Sequence, residues 1–159
     1  MSTASVLQTG GRTVPADWID YNGHLMGAYY SMAFTEATEA LLDHVGLGAA
    51  YRAQTGSGIY TVESHICFRA SVRAGEQLRY TSHLLSCDSR RLHVFHQILL
   101  ASGAVAATNE LMFLHVDLDT ERVTAIPPEH RATVSALAAQ HAMLPVPAAA
   151  GRSITMRPL

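Results

Sequence analysis

Asp20-Tyr21-Asn22-Gly23-His24-Leu25-Met26-Gly27-Ala28-Tyr29-Tyr30 passes from a cluster of turn-forming residues directly into a helical pattern. Tyr30, Phe34, Ala37, Leu41 and Val45 follow at spacings of three and four, which is one face of a helix. The pattern predicts a helix from Gly27 to Gly46, with Gly46 as the residue that ends it. From Ile59 the period changes to two. Tyr60, Val62, Ser64, Ile66, Phe68 and Ala70 then share one expected face, and Thr61, Glu63, His65, Cys67 and Arg69 the other. Gln77 to Cys87, Leu92 to Ile98 and Ala104 to Asp117 read as three further strands. They are separated by turns at Asp88-Ser89-Arg90 and Ser102-Gly103.

Outside this frame the signals are shorter. Thr13 to Trp18 reads as a brief extended segment broken by Pro15, and Ala49 to Arg52 as a helical patch in a connector. Pro128 suits the first turn of a closing helix that runs to about Met143. Residues 145–159 are rich in Pro, Ala and Gly and read as a surface tail. No repeat or linker divides the chain, so residues 1–159 are expected to form one α+β domain. One long helix wrapped by an antiparallel sheet of about five strands describes a hotdog fold. A helix can cover only one sheet face, and long strand edges invite pairing, so a homodimer or homotetramer is expected.

Composition narrows the function classes. The 159 residues include 48% apolar and only 15% charged side chains, which excludes a disordered chain. Eleven basic residues, all Arg, against 13 acidic ones give a net charge of −2, so nothing favours a nucleic-acid partner. No stretch approaches the ~20 apolar residues of a membrane span, and Met1 to Thr13 lacks a secretory pattern, so the expected location is cytoplasmic. Cys67 and Cys87 then read as free thiols. The nine histidines are scattered: His93 and His96, three apart on a strand, point to opposite faces, and no metal-ligand spacing is present.

Asp20 stands just ahead of the long helix, whose first N–H groups are unpaired and lie at the positive end of the helix dipole. Two readings are open on spacing alone. Asp20 or Asn22 caps the helix, or the helix start holds a carbonyl oxygen as it becomes an oxyanion while Asp20 attacks the carbonyl or activates water.

Asp20, Gly23-His24 and the Tyr-bearing helix resemble the active-site segment of thioesterases in the 4-hydroxybenzoyl-CoA thioesterase-like hotdog superfamily. Thr61-Val62-Glu63-Ser64-His65-Ile66, Arg91-Leu92-His93-Val94-Phe95-His96, Leu114-His115-Val116-Asp117, His141-Ala142-Met143-Leu144-Pro145 and Gly151-Arg152 resemble a narrower group, the betainyl-CoA thioesterases of carnitine breakdown. Members of that group occur alone or fused behind L-carnitine dehydrogenase. The resemblance implies hydrolysis of an acyl-CoA without a cofactor, with Asp20 as nucleophile or general base and His24 orienting Asp20 or the substrate. Many superfamily members carry Asn-Asn where this chain has Leu25, Met26 and Gly27, so the oxyanion donor is expected to be a backbone N–H, best that of Gly27. A hotdog hydratase pattern, Asp-x-Asn-Pro-x-His, fits less well, because Asp20-x-Asn22-Gly23-His24 is one residue shorter and lacks the Pro. A non-catalytic acyl-CoA-binding hotdog protein is the other alternative, and Asp20 speaks against it.

A betainyl group carries a fixed trimethylammonium, which carboxylates and aromatic faces favour. Trp18 and Tyr21, which flank Asp20, are the expected aromatic faces, with Asn22, Tyr60, Glu63 and His65 as further substrate contacts. Tyr30 and Phe34 are expected to belong to the core stripe. Arg90 and Arg91, at a turn, are the expected contacts to the CoA phosphates, with Arg131 behind them; each also fits an ordinary solvated arginine.

Overall fold

A computed structural model describes residues 5–156. The ends of the N-terminal segment and of the C-terminal tail, residues 1–4 and 157–159, lie outside the described residues. The chain runs β1 (Leu7–Thr13), a 3-10 turn (Ala16–Trp18), α1 (Gly27–His44), α2 (Ala49–Thr55), β2 (Ser57–Phe68), β3 (Gln77–Cys87), β4 (Arg91–Leu100), β5 (Val105–Asp117), β6 (Arg122–Val123) and α3 (Pro128–His141). All pairings are antiparallel, in the order β1-β3-β4-β5-β2, with the two-residue β6 added to the end of β5. This is the expected hotdog arrangement: one long helix lying in a curled antiparallel sheet.

The core explains why α1 lies where it does. Tyr30, Ala33, Phe34, Ala37 and Leu41 are buried along one stripe. Ala33 and Ala37 have no exposed surface, so the helix backbone sits close to the sheet, while Phe34 and Leu41 fill the space between. The helix stops in a Schellman motif: Leu47 N–H donates to the Leu42 carbonyl and Gly46 N–H to that of Asp43, with Gly46 at φ 75°.

Two local expectations need correction. The first strand is not Thr13 to Trp18 but Leu7–Thr13, and Pro15 introduces a 3-10 turn. Its Gln-Thr-Gly-Gly run hides it from a pattern search. Gly11 crosses so close to β3 that a Cβ would lie 2.2 Å from the Leu78 carbonyl oxygen, so only glycine fits. In β2 a bulge at Val62 breaks the simple alternation: Thr61 opposes Phe113 and Glu63 opposes Met112. Thr61 therefore turns to the helix side with Ser64 and Ile66, while Glu63 and His65 lie on the outer sheet face.

Beneath α1 a buried polar chain ties helix to sheet. His96, fully buried on β4, lies 2.7 Å from Ser82 Oγ through Nδ1 and 3.0 Å from Thr38 Oγ1 through Nε2. Thr38 donates to the Phe34 carbonyl, and Thr9 Oγ1 lies 2.9 Å from Ser82 Oγ. His93, three residues away, faces outward and contacts Glu110 at 2.7 Å. Cys67 and Cys87 are both free and half-buried. Among the described residues, no helix is long and apolar enough to cross a membrane.

Burial pulls the His96 pKa down to about 4, and burial also lowers those of His83 and His141. The unfolded chain takes up these protons near pH 6.5, whereas folded His96 takes its proton only near pH 4. Stability from His96 is thus complete above pH 6.5 and is lost as pH falls toward 4. The loss from this residue should reach about 3 kcal/mol. Urea unfolding at pH 7, 5.5 and 4 checks this: His96→Gln should start from a lower stability and decline less steeply than the wild type.

Candidate active site at the start of helix α1

The segment before α1 is a tight hairpin. Trp18 C=O accepts from Met26 N–H at 3.0 Å, Ile19 and Leu25 form a bridge, and Asp20 N–H donates to the His24 carbonyl at 2.9 Å. Gly23 turns the corner at φ 78°, where a side chain is strained, and its N–H donates to the Asp20 carbonyl. Asp20 Oδ1 accepts from Asn22 N–H at 2.8 Å and His24 N–H at 3.2 Å. Its second oxygen has no partner among the described residues. Leu25, buried, donates its N–H to Val72 C=O and pins the hairpin to the chain after β2.

The capping alternative fails on this geometry. Met26 occupies the N-cap position of α1 and contributes no side-chain bond. Asp20 uses one carboxylate oxygen and Asn22 its backbone N–H inside the hairpin, and neither side chain bonds the helix start. The N–H groups of Gly27 and Ala28 have no partner among the described residues, so the positive end of an 18-residue helix is open. It faces a cleft of about 410 Å³ lined by His24, Gly27 and Tyr30 on one side and by Phe68 and Arg69 on the other. Asp20 does not itself line this cleft; it stands across the hairpin from His24, which does.

Trp18 does not offer an open aromatic face. Tyr29 stacks on one side of it, ring centroids 4.7 Å apart and 10° from parallel. The Arg12 guanidinium covers the ring 4.0 Å from its centroid and is held by Glu36 at 2.7 Å. Trp18 is buried, and its role is to fix the hairpin against α1. Tyr21 is 98% exposed at the hairpin tip.

The remaining expected contacts lie elsewhere in the protomer. Glu63 and His65 share an outer cleft with His93 and Glu110, so the sheet separates them from Gly27. Tyr60 is half exposed beside a second cleft of about 330 Å³ near Glu39 and Asp43, toward the C-terminal end of α1. Arg91 pairs with Asp88 at 2.6 Å, and Asp88 Oδ1 also accepts from Arg90 N–H and Arg91 N–H. Those bonds, first that from Arg90 N–H, hold the Asp88 carboxyl below the usual range. Arg91 opposes Leu114 on β5 whereas Phe68 opposes Ala107, so the arginine turn and the Gly27 cleft are roughly 23 Å apart along the sheet.

Phe68, Tyr30 and Arg69 are among the cleft residues that the sequence pattern assigned to no site. Their proximity to Gly27 comes from the antiparallel return of β2 alongside α1, which no local spacing reveals. Between the two clefts Thr35, Thr38, Thr61 and Ser64 line a smaller hollow, so a groove follows α1 along the β2 edge for most of the helix.

A family model described as the thioesterase-like superfamily matches residues 14–137. The chain is 40% identical over 157 residues to a betainyl-CoA thioesterase of Pseudomonas aeruginosa, covering 98% of this chain and 99% of that one. It is 43% identical over 141 residues to an L-carnitine dehydrogenase/betainyl-CoA thioesterase of Agrobacterium fabrum; that match covers 89% of this chain but 29% of the longer protein. Among solved structures, a candidate thioesterase from Pseudomonas putida superposes with a TM-score of 0.83 at 32% identity, covering 97% of this chain and 99% of that one. A Staphylococcus aureus protein solved in complex with CoA has the same fold, with a TM-score of 0.88 at 23% identity, covering 99% of this chain and 100% of that one.

Proposed function

The chain belongs to the thioesterase-like superfamily, and from that membership we propose that it hydrolyses betainyl-CoA to glycine betaine and CoA. Its reaction class is acyl-CoA thioester hydrolysis. The observation that carries the catalytic reading is the uncapped start of α1: two unpartnered N–H groups open onto a cleft bordered by the Asp20 hairpin. The near full-length similarity to a betainyl-CoA thioesterase supports the acyl group.

In the proposed mechanism the thioester carbonyl oxygen points at Gly27 N–H, and the helix dipole stabilises the charge that forms there. Asp20 acts through its unengaged oxygen, either attacking the carbonyl carbon or drawing a proton from water that attacks it. CoA leaves as the thiol after taking a proton, and water supplies the hydroxyl of the carboxylic acid product. The two bonds to Oδ1 hold the carboxylate in place, so its geometry is prepared before substrate arrives. Non-catalytic acyl-CoA binding gives no reason for this pairing of a held carboxylate with an open helix start.

We further propose that the working unit is a dimer joined along β2. This strand has 12 residues and, among the described residues, one neighbour, β5, so one edge is unpaired there. Tyr60, Val62 and Phe68 on β2, with Met32 on α1, are each about half exposed. The opposite edge, β1, is short and bulged between Gln8 and Gly10, which discourages pairing. Antiparallel pairing of two β2 edges sets the Phe68 end of one copy against the Ser57–Tyr60 end of the other. The arginine turn and Tyr60 of the second copy then lie at the same end as the Gly27 cleft of the first. That arrangement supports Tyr60, Arg90 and Arg91 as contacts made across the subunit boundary.

Four outcomes are expected. Asp20→Asn should fold normally and lower kcat by ~10²–10⁴, measured by thiol release. Gly27→Pro should do nearly as much, ~10²–10³, because it deletes the N–H at a position where proline suits the first helical turn and Met26 already has the extended conformation proline requires; Gly27→Ala is the control that keeps the N–H. Normal turnover in folded Asp20→Asn protein would end the catalytic assignment. Light scattering at micromolar concentration should give at least twice the chain mass, and Val62→Lys should shift it toward monomer with loss of activity; a fully active monomer contradicts the shared site. Betainyl-CoA should exceed its neutral isostere, tert-butylacetyl-CoA, by roughly 10–100-fold in kcat/KM, and equal values would remove the betainyl reading while leaving the thioesterase intact.

A further inference from the structure

Phe68 is a large apolar residue with more than half its surface exposed in the single protomer, at the end of a strand and beside the Gly27 cleft. The core does not need it there. Its ring meets that of Tyr30 edge-on, centroids 5.0 Å apart, and Tyr30 is buried with its hydroxyl directed to the Ala70 carbonyl at 3.4 Å. Tyr30 thus props Phe68 from behind. The tip of the Phe68 ring, Cζ, lies 3.9 Å from the point where a Cβ on Gly27 would stand. The tip of an aromatic ring therefore adjoins the first residue of α1, within the cleft.

Short acyl groups have little reach. In a betainyl thioester the nitrogen is separated from the carbonyl carbon by one methylene, so the two are about 2.5 Å apart by ordinary bond lengths and angles. A carbonyl oxygen bonded to Gly27 N–H at about 2.9 Å keeps the ammonium within a few ångströms of that residue. Among the described residues Phe68 and Tyr30 are the six-membered aromatic rings that line this cleft, beside the His24 imidazole, whereas Trp18 is buried under Tyr29 and Arg12 and Tyr21 points to solvent.

We propose that Phe68, propped by Tyr30, is the specificity-determining wall for the acyl group and holds the trimethylammonium of the substrate against its ring face. The proposal rests on the betainyl reading. It assigns to Phe68 the discrimination between a cationic acyl group and a neutral one of equal shape. A quaternary ammonium donates no hydrogen bond, so a ring face suits it better than a hydroxyl or amide lining does.

The test is the ratio of kcat/KM for betainyl-CoA to that for tert-butylacetyl-CoA, measured on the full chain. Phe68→Leu, which keeps apolar bulk and removes the ring, should reduce the wild-type ratio roughly 3- to 30-fold. Phe68→Trp should retain or raise it. Because Phe68 also lies on the β2 edge proposed to pair, light scattering checks that both variants keep the wild-type assembly; Phe68→Met, similar in volume and flexible, repeats the test should Phe68→Leu unfold or dissociate. A wild type without preference overturns the betainyl reading and this proposal together. A strong wild-type preference that survives in both Phe68→Leu and Phe68→Met overturns the role of Phe68 alone.

Discussion

The stack of Arg12, Trp18 and Tyr29 decides how the chain enters α1, and the candidate site follows from that entry. Trp18 supplies the carbonyl that receives Met26 N–H, so the tryptophan locked against Tyr29 also closes the base of the Asp20 hairpin. Arg12 lies over the indole ring and is itself held by Glu36, about two α1 turns beyond Tyr29. Glu36 also receives the Tyr80 hydroxyl at 3.1 Å. One set of contacts therefore joins β1, β3, the hairpin and the helix. Without it the hairpin is tied to the body of the protein mainly through Leu25 and its bond to Val72.

Much of this architecture was legible in the sequence, because the signals were local. The three-and-four spacing from Tyr30 to Leu41 marks the helix, and Gly46 marks its end. Gln77 to Cys87 is bounded by turn residues, Gly75 before it and Asp88-Ser89-Arg90 after it, so both ends match the strand. The first strand was missed because its glycines serve close backbone approach to β3 and leave no side-chain alternation to read. The bulge at Val62 was also silent, and it reassigns everything upstream of it to the opposite face.

The site divides along the same line. Asp20 and Gly27 lie close together in sequence, and their relation survives folding as one hairpin and one helix start. The aromatic residues do not. Trp18 and Tyr21 flank Asp20 in the chain, yet one is consumed by stacking and the other projects into solvent. Phe68 is far from Asp20 in sequence and reaches Gly27 only because β2 returns beside α1. Sequence adjacency is a good guide to hydrogen bonds made by backbone and a poor one to faces presented by large rings.

Why the open helix start and the unpaired strand edge occur on the same side has a physical basis. A helix lying in a curled sheet leaves one flank toward the last strand, and here that flank runs beside β2. Along it the buried alanines of α1 give way to Ser31, Thr35 and Thr38, and Thr35 and Thr38 both return their hydroxyl protons to carbonyls of the preceding turn. Side chains satisfied within their own helix make no demand on β2, so the groove is not zipped shut by helix-to-edge hydrogen bonds. Asn109, buried at its floor, is engaged by Ser64 rather than by the helix. The fold thereby keeps a channel beside α1 while its opposite face carries the packing that holds the domain together. The same flank carries both the edge of β2 that is unpaired among the described residues and the open N–H groups of Gly27 and Ala28.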